Sequence, residues 1–290
     1  EIGTTATDNT SGTHEAQGKA KTVIRDEVRY RNLKVGEEYT VIGILMDKAT
    51  GNPIIIDGDR VTTKTTFTPT EKDGSIVLFF EFDGTGLVGK TTVAFERVLY
   101  EGVEGAVHAD IEDEDQSVNI IDIRTSAVDK DSGTHTAAHS HTATVIDTVS
   151  YSGLTPGKTY TVYGTVMVKG TGAELYQNGI PITGMTEFVP TAANGTVDVT
   201  FVVDTYQLQG MEIVVFERLF AGSVTGSTLE SEVPIAVHED INDTDQTIKV
   251  PVIPFTPPHT GVDDHTGLFV TAMLTSGAGI AWILRKRKRH

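Results

Sequence analysis

Two halves of this 290-residue chain carry the same polar residues in the same order, and together they are the raw material of proton-transfer and acyl chemistry. Thr4 is followed by Asp26, then by Glu96 inside the apolar run Val93-Ala94-Phe95-Glu96, then by His108, which opens a segment H-x-D-I-x-D-x-D-Q ending at Gln116. The second set is Thr125, Asp147, Glu217 in Val214-Val215-Phe216-Glu217, and His238 to Gln246. A carboxylate between Phe and Arg in a core-like stretch is costly to bury unless it is paired, so finding it twice invites a chemical explanation. The acidic segments suit a second chemistry. Asp110, Asp113 and Asp115, and likewise Asp240, Asp243 and Asp245, have the D-x-D spacing of oxygen ligands for Ca²⁺, although the Gly-bearing loop of an EF-hand is absent. A zinc reading of His14, His135, His139 and His141 is weaker. The first half keeps only His14, so a surface loop is the simpler reading and no resident metal is expected.

The elements that must position these residues follow from self-comparison. Sliding the chain by 121 residues superposes Ser11-Gly12-Thr13-His14 on Ser132-Gly133-Thr134-His135, Tyr39 on Tyr160, and Phe95-Glu96-Arg97 on Phe216-Glu217-Arg218. Beyond that point the offset becomes 130, so the second copy holds nine extra residues before His238. Within each copy the hydrophobic period is two, as in Tyr39–Leu45, Ile76–Phe82, Thr91–Leu99 and their counterparts, with turn signals such as Asp73-Gly74 and Asn194-Gly195 between them. No stretch before residue 267 keeps a helical period. The fold class expected is all-β: two tandem immunoglobulin-like antiparallel β-sandwich domains, residues 1–121 and 122–252, abutting stiffly. Asp26 and Asp147 are placed just before a strand.

At these motifs the chain resembles the Thr-Gln ester-bond domains of Gram-positive adhesins, repeats named for a Val-Ala-Phe-Glu motif. The resemblance covers residues 2 to about 250. It implies a spontaneous intramolecular ester between a first-strand Thr and a last-strand Gln, with loss of ammonia. Carried over, the crosslinks are Thr4 to Gln116 and Thr125 to Gln246, assisted by Asp26, Glu96 and His108 or by Asp147, Glu217 and His238. The chemistry is coherent: a Thr hydroxyl needs a base, His is tuned for that near neutral pH, and a carboxylate orients the imidazole. A Glu held protonated by burial could polarise the Gln carbonyl, and which carboxylate plays which part is open. The competing classes are an exported hydrolase and a calcium-binding or ligand-binding adhesin module without ester bonds. Against the hydrolase, the set occurs in both modules, includes an internal Gln, and has no G-x-S-x-G nearby. For ligand binding, the enlarged loop 219–237 is the place to look.

The ends and the charge complete the picture. The chain has 40 acidic against 23 basic residues, a net charge of -17, and no cysteine. That excludes disulfides, thiolate metal sites and cysteine nucleophiles. Five of the bases lie in Arg285–Arg289, so the body upstream is strongly acidic and nucleic acid is not an expected partner. Residues 267–284 are uncharged and as a helix would reach about 27 Å, enough to cross a bilayer, with the basic tail on the cytoplasmic side. Upstream, the Pro-rich linker 253–266 contains Pro258, Thr260 and Gly261. The order of P-x-T-G, apolar stretch and basic tail resembles a Gram-positive cell-wall sorting signal, although Pro257 stands where Leu is usual. The resemblance implies cleavage by a sortase between Thr260 and Gly261 and attachment to peptidoglycan. It also implies upstream adhesive domains and a location on the cell surface. The start at Glu1 has no leader pattern and reads as the beginning of a strand.

Overall fold

The computed structural model describes residues 1–254. All regular structure there is β, apart from three short 3₁₀ turns. Repeat 1 contains β1 (Ile2–Asp8), β2 (Glu15–Gln17), β3 (Thr22–Tyr30), β4 (Tyr39–Asp47), β5 (Thr62–Phe67), β6 (Gly74–Phe82), β7 (Thr91–Tyr100) and β8 (Val103–His108). The long β9 (Ser117–Asp129) then leads into β10 (Ala143–Ser152), β11 (Tyr160–Val168), β12 (Thr183–Phe188), β13 (Gly195–Val203), β14 (Glu212–Ala221), β15 (Ala236–His238) and β16 (Thr247–Lys249). In repeat 1 one antiparallel sheet runs β1-β3-β6 and the other pairs β8, β7, β4 and β5. Repeat 2 copies this plan, with β9-β10-β13 in one sheet and β15, β14, β11 and β12 in the other.

Alternation sets the core. Along β3 the residues Thr22, Ile24, Asp26, Val28 and Tyr30 are buried while their neighbours are less so, and β10 does the same with Ala143, Val145, Asp147, Val149 and Tyr151. Asp26 and Asp147 are therefore mid-strand, not just before a strand as their sequence suggested. A single polar residue inside a period-two run looks like an interruption, yet it keeps the inward slot. Opposite the buried Glu96 in register stands Gly43, where an added Cβ would come within 2.6 Å of the Phe80 ring; Gly164, opposite Glu217, is similarly crowded by Phe201 at 2.4 Å. Glycine there leaves the ring room to close the core beside the acid.

The expected boundary at 121/122 falls inside β9. Its first residues pair with β7 and run parallel to β2, and its last eight form the first strand of repeat 2. Side chains brace the junction: Glu15, fully buried, receives Lys158 Nζ on both oxygens at 2.7 Å and Tyr160 Oη at 2.9 Å. Gln17 pairs with the backbone of Val237, donating to its carbonyl at 2.8 Å and accepting from its N–H at 3.2 Å. Among the described residues no helix is long and apolar enough to cross a membrane. The expected motif at Pro258, Thr260 and Gly261 and the expected helix and tail at 267–290 lie outside the described residues.

Candidate functional site

In both repeats the sequence-selected residues converge between the two sheets. Thr4 points inward beside Ala6 on β1, and Ala6 stands opposite Asp26 on β3. From the other sheet, Glu96 on β7 stands opposite His108 on β8. Gln116 enters from the loop before β9 and is tied on both sides: its carbonyl accepts from Ala94 N–H at 3.1 Å, and the preceding Asp115 carbonyl accepts from Ala6 N–H at 2.8 Å. The result is that the Gln116 side-chain amide lies directly against Thr4 Oγ1. Repeat 2 repeats every part of this. Ala127 stands opposite Asp147, Glu217 opposite His238, and the amide of Gln246 lies against Thr125 Oγ1. Asp26, Asp147, Glu217, Gln116 and Gln246 are fully buried, Glu96 nearly so, and both Thr are buried.

A protein-family model described as T-Q ester bond containing domain matches residues 1–120 and again residues 121–250. The chain belongs to this family. No curated protein matches it. Among solved structures, a bacterial adhesin from Mobiluncus mulieris containing intramolecular disulfide, isopeptide and ester bond cross-links is 15% identical over 74% of this chain and 79% of its own, with a TM-score of 0.33. The major pilin subunit BcpA of Bacillus cereus is 11% identical over 78% of this chain and 61% of its own, with a TM-score of 0.25.

The electrostatics of each T-Q domain centre on a carboxyl pair. Burial, and then the charge of Asp26, push Glu96 up to about 10, so it is protonated at neutral pH. Burial raises Asp26 as well, against the opposing pull of Glu96 and Gln116. The pair thus keeps a proton out of reach of solvent. Burial likewise raises Asp147 and, well above the ordinary range, Glu217. In repeat 2 Thr125 Oγ1 donates to Glu217 Oε2 at 3.2 Å, and the Gln246 amide donates to the same oxygen at 2.5 Å. Both Gln carbonyl oxygens, Oε1 of Gln116 and of Gln246, are buried without a hydrogen-bond donor. Such an acceptor lacks the stabilisation that water would give it.

Two residues that sequence reasoning treated only as possible calcium ligands belong to the site. His108 Nε2 meets Asp113 Oδ2 at 2.7 Å, and His238 Nε2 meets Asp243 Oδ2 at 2.8 Å. Asp243 is held below the ordinary carboxylate range: burial opposes this, and the contacts with His238 and the Asp245 N–H outweigh it. The signal was present. Within the acidic segment Glu112 and Glu114 become Asn242 and Thr244 in the second copy, whereas all three Asp recur. Asp110 and Asp240 shape the loop by accepting from the N–H two residues on, Glu112 at 3.0 Å and Asn242 at 2.9 Å. Among the described residues no group of three or more acids and histidines could hold a metal ion.

The remaining candidates lie elsewhere. His14 and His135 contact the backbone carbonyls of Ser117 and Ala127 at 3.1 and 2.7 Å, and His141 contacts Asp204 at 3.0 Å. The enlarged loop of the second copy is packed down at both ends through Val224 and Ile235, each 3% exposed. A cleft of about 360 Å³ lined by Thr4, Arg29, Arg31, His108 and Asp113 borders the first site on its His side, and Asp26, Glu96 and Gln116 do not line it.

Proposed function

We propose that the chain is a stalk segment of a cell-surface adhesin whose two domains each lock themselves with an ester, Thr4 to Gln116 and Thr125 to Gln246. The observation that carries this reading is the Gln amide held against the Thr hydroxyl, between the sheets and beside a protonated carboxyl pair. Thr Oγ attacks the Gln Cδ, and its proton passes to the imidazole of His108 or His238, which Asp113 or Asp243 orients. Negative charge then develops on the Gln Oε1; the protonated Glu, which in repeat 2 meets the amide through its nitrogen, would donate there once the amide turns. The C–N bond breaks, the nitrogen takes a proton back from the imidazole and leaves as ammonia. Hydroxyl plus primary amide gives ester plus ammonia, so no cofactor, oxidant or water enters the balance. Burial of the site disfavours hydrolysis, the competing reaction.

Each domain acts once, on itself, so no external substrate is expected and the chain is not a turnover enzyme. Calcium at the acidic loops would be an addition, not a reactant. The crosslinks tie together residues 112 and 121 positions apart. Closing loops of that length is worth about 4 to 5 kcal/mol in the chain-entropy model. Under tension the load would bypass almost the whole of each sandwich, which suits a stalk holding upstream adhesive domains away from the cell. The P-x-T-G motif at Pro258, Thr260 and Gly261, with the apolar stretch and basic tail, supports export, transient membrane anchoring and transfer by a sortase to Gram-positive peptidoglycan. The test is single-molecule stretching of residues 1–252, which form one compact unit. An intact crosslink releases almost no length, whereas an uncrosslinked repeat releases about 400 Å at 3.3–3.6 Å per residue. Release of that length from both repeats would overturn the proposal.

A further inference from the structure

The joint between the repeats is a matched pair of faces, and repeat 1 carries its own copy of the receiving face at its opposite end. On repeat 2 the receivers are Lys158, Tyr160 and Val237, which take Glu15 and Gln17. Their counterparts in repeat 1 are Glu37, Tyr39 and Val107. The scaffold is the same: Tyr39 Oη accepts from Lys34 N–H at 3.0 Å, as Tyr160 Oη accepts from Thr155 N–H at 3.0 Å. Val107 is 49% exposed, whereas its counterpart Val237 is half-buried under Gln17. At the Lys158 position the charge is inverted. Where Lys158 makes the two 2.7 Å contacts with Glu15, repeat 1 has an exposed acid, Glu37, whose Oε2 accepts from Tyr100 Oη at 3.3 Å. Lys34 replaces Thr155, whose contact with Glu15 is the long one at 3.4 Å, and lies over the Tyr100 ring. With Lys34 turned onto Tyr100, the residue left where Lys158 meets Glu15 is the acid Glu37.

We propose that this end of repeat 1 is the docking face for a preceding β-sandwich module of the same fold that carries a basic side chain where repeat 1 has Glu15. A copy of repeat 1 itself would bring Glu15 against Glu37, two like charges leaving water together. The far end of repeat 2 fits no better. Thr136 and Ala138 stand where Glu15 and Gln17 would be, and only a single bridge from Thr136 to Lys249 remains of the parallel pairing. The charge swap therefore fixes the order of modules along the stalk as well as stiffening it. This inference rests on the joint and is independent of whether the esters form.

The test extends the chain ahead of Glu1 with a copy of residues 1–121, in one form unchanged and in another with Glu15→Lys in the added copy. Backbone hydrogen exchange at residues 32–39 and 103–108 of the original repeat 1 is compared with that of the unextended chain. The Glu15→Lys extension should slow exchange there by roughly tenfold or more, while the unchanged extension leaves it as it was. Should the altered copy fail to fold, as judged by exchange in its own strands, the converse variant serves. It keeps the added copy unchanged and introduces Glu37→Lys at the exposed receiving position, which recreates the charge of Lys158 and should give the same protection. Equal protection by the two extensions, or no protection with either charge-matched pair, overturns the proposal.

Discussion

The two repeats place the same residues at the site and surround them differently. Thr, Asp, Glu, His and Gln superpose, together with the Asp that holds the His, and so do the main-chain bonds that seat the Gln: Ala94 N–H to Gln116 O at 3.1 Å and Val215 N–H to Gln246 O at 3.3 Å. Away from the site the copies diverge. Repeat 1 joins β7 to β8 through a tight turn at Glu101 and Gly102, both with positive φ, where repeat 2 inserts its long loop. Arg29 and Arg31 flank the first site, where repeat 2 has Ser150 and Ser152. Every residue of the proposed chemistry recurs in both copies despite this drift, alongside others, such as Tyr39 and Tyr160, that recur for packing.

The first way to break the equivalence is to remove the proton-holding acid from one copy at a time. Glu96→Gln should abolish the crosslink in repeat 1 alone and Glu217→Gln that in repeat 2 alone. Each should cost about 4 to 5 kcal/mol of stability, read by denaturant unfolding. A normal crosslink in either variant would remove the Glu from the mechanism. A finer test concerns the dyad. His108→Ala and His238→Ala should slow ester formation by roughly 10²- to 10⁴-fold, the ordinary worth of a general base, and Asp113→Asn or Asp243→Asn should slow it less. Time-resolved mass of freshly refolded protein reads this directly, and equal effects of the Asp and His variants would show that the Asp does more than orient the ring.

The narrowest comparison is of pH dependence, because it follows one carboxyl group. Glu96 binds its proton more tightly folded than unfolded, moving from 4.5 to about 10. Its contribution to stability is therefore complete below about pH 4.5 and is lost progressively as the pH rises toward 10. In a Thr4→Ala background, where no crosslink masks the effect, the melting temperature should fall across that window. Adding Glu96→Gln should flatten the fall. A slope unchanged by that substitution would mean that the buried carboxyl is not the group titrating.

Much of this could be read before the structure because strands alternate and because the chain repeats. Period two located β4, β6, β7 and their counterparts to within two residues at most boundaries, and the exact offsets picked out Thr4, Glu96, His108 and Gln116 with their partners. Two things escaped for physical reasons. Asp26 and Asp147 were misplaced because an inward acid breaks a hydrophobic pattern while leaving the pleat intact. Asp113 and Asp243 were hidden among other acids, since solvated carboxylates and a His-orienting one look alike in sequence. The joint could not be found by repetition at all. Glu15 and Lys158 are complementary across the repeats, and their counterparts Thr136 and Glu37 are different residues.

The intact mass of residues 1–252, with Thr4→Ala and Thr125→Ala variants beside it, tests the central claim most directly. The account predicts a mass below the sequence value by two ammonias, about 17 Da each, with one ammonia restored in each variant. A folded protein at its full sequence mass would contradict it.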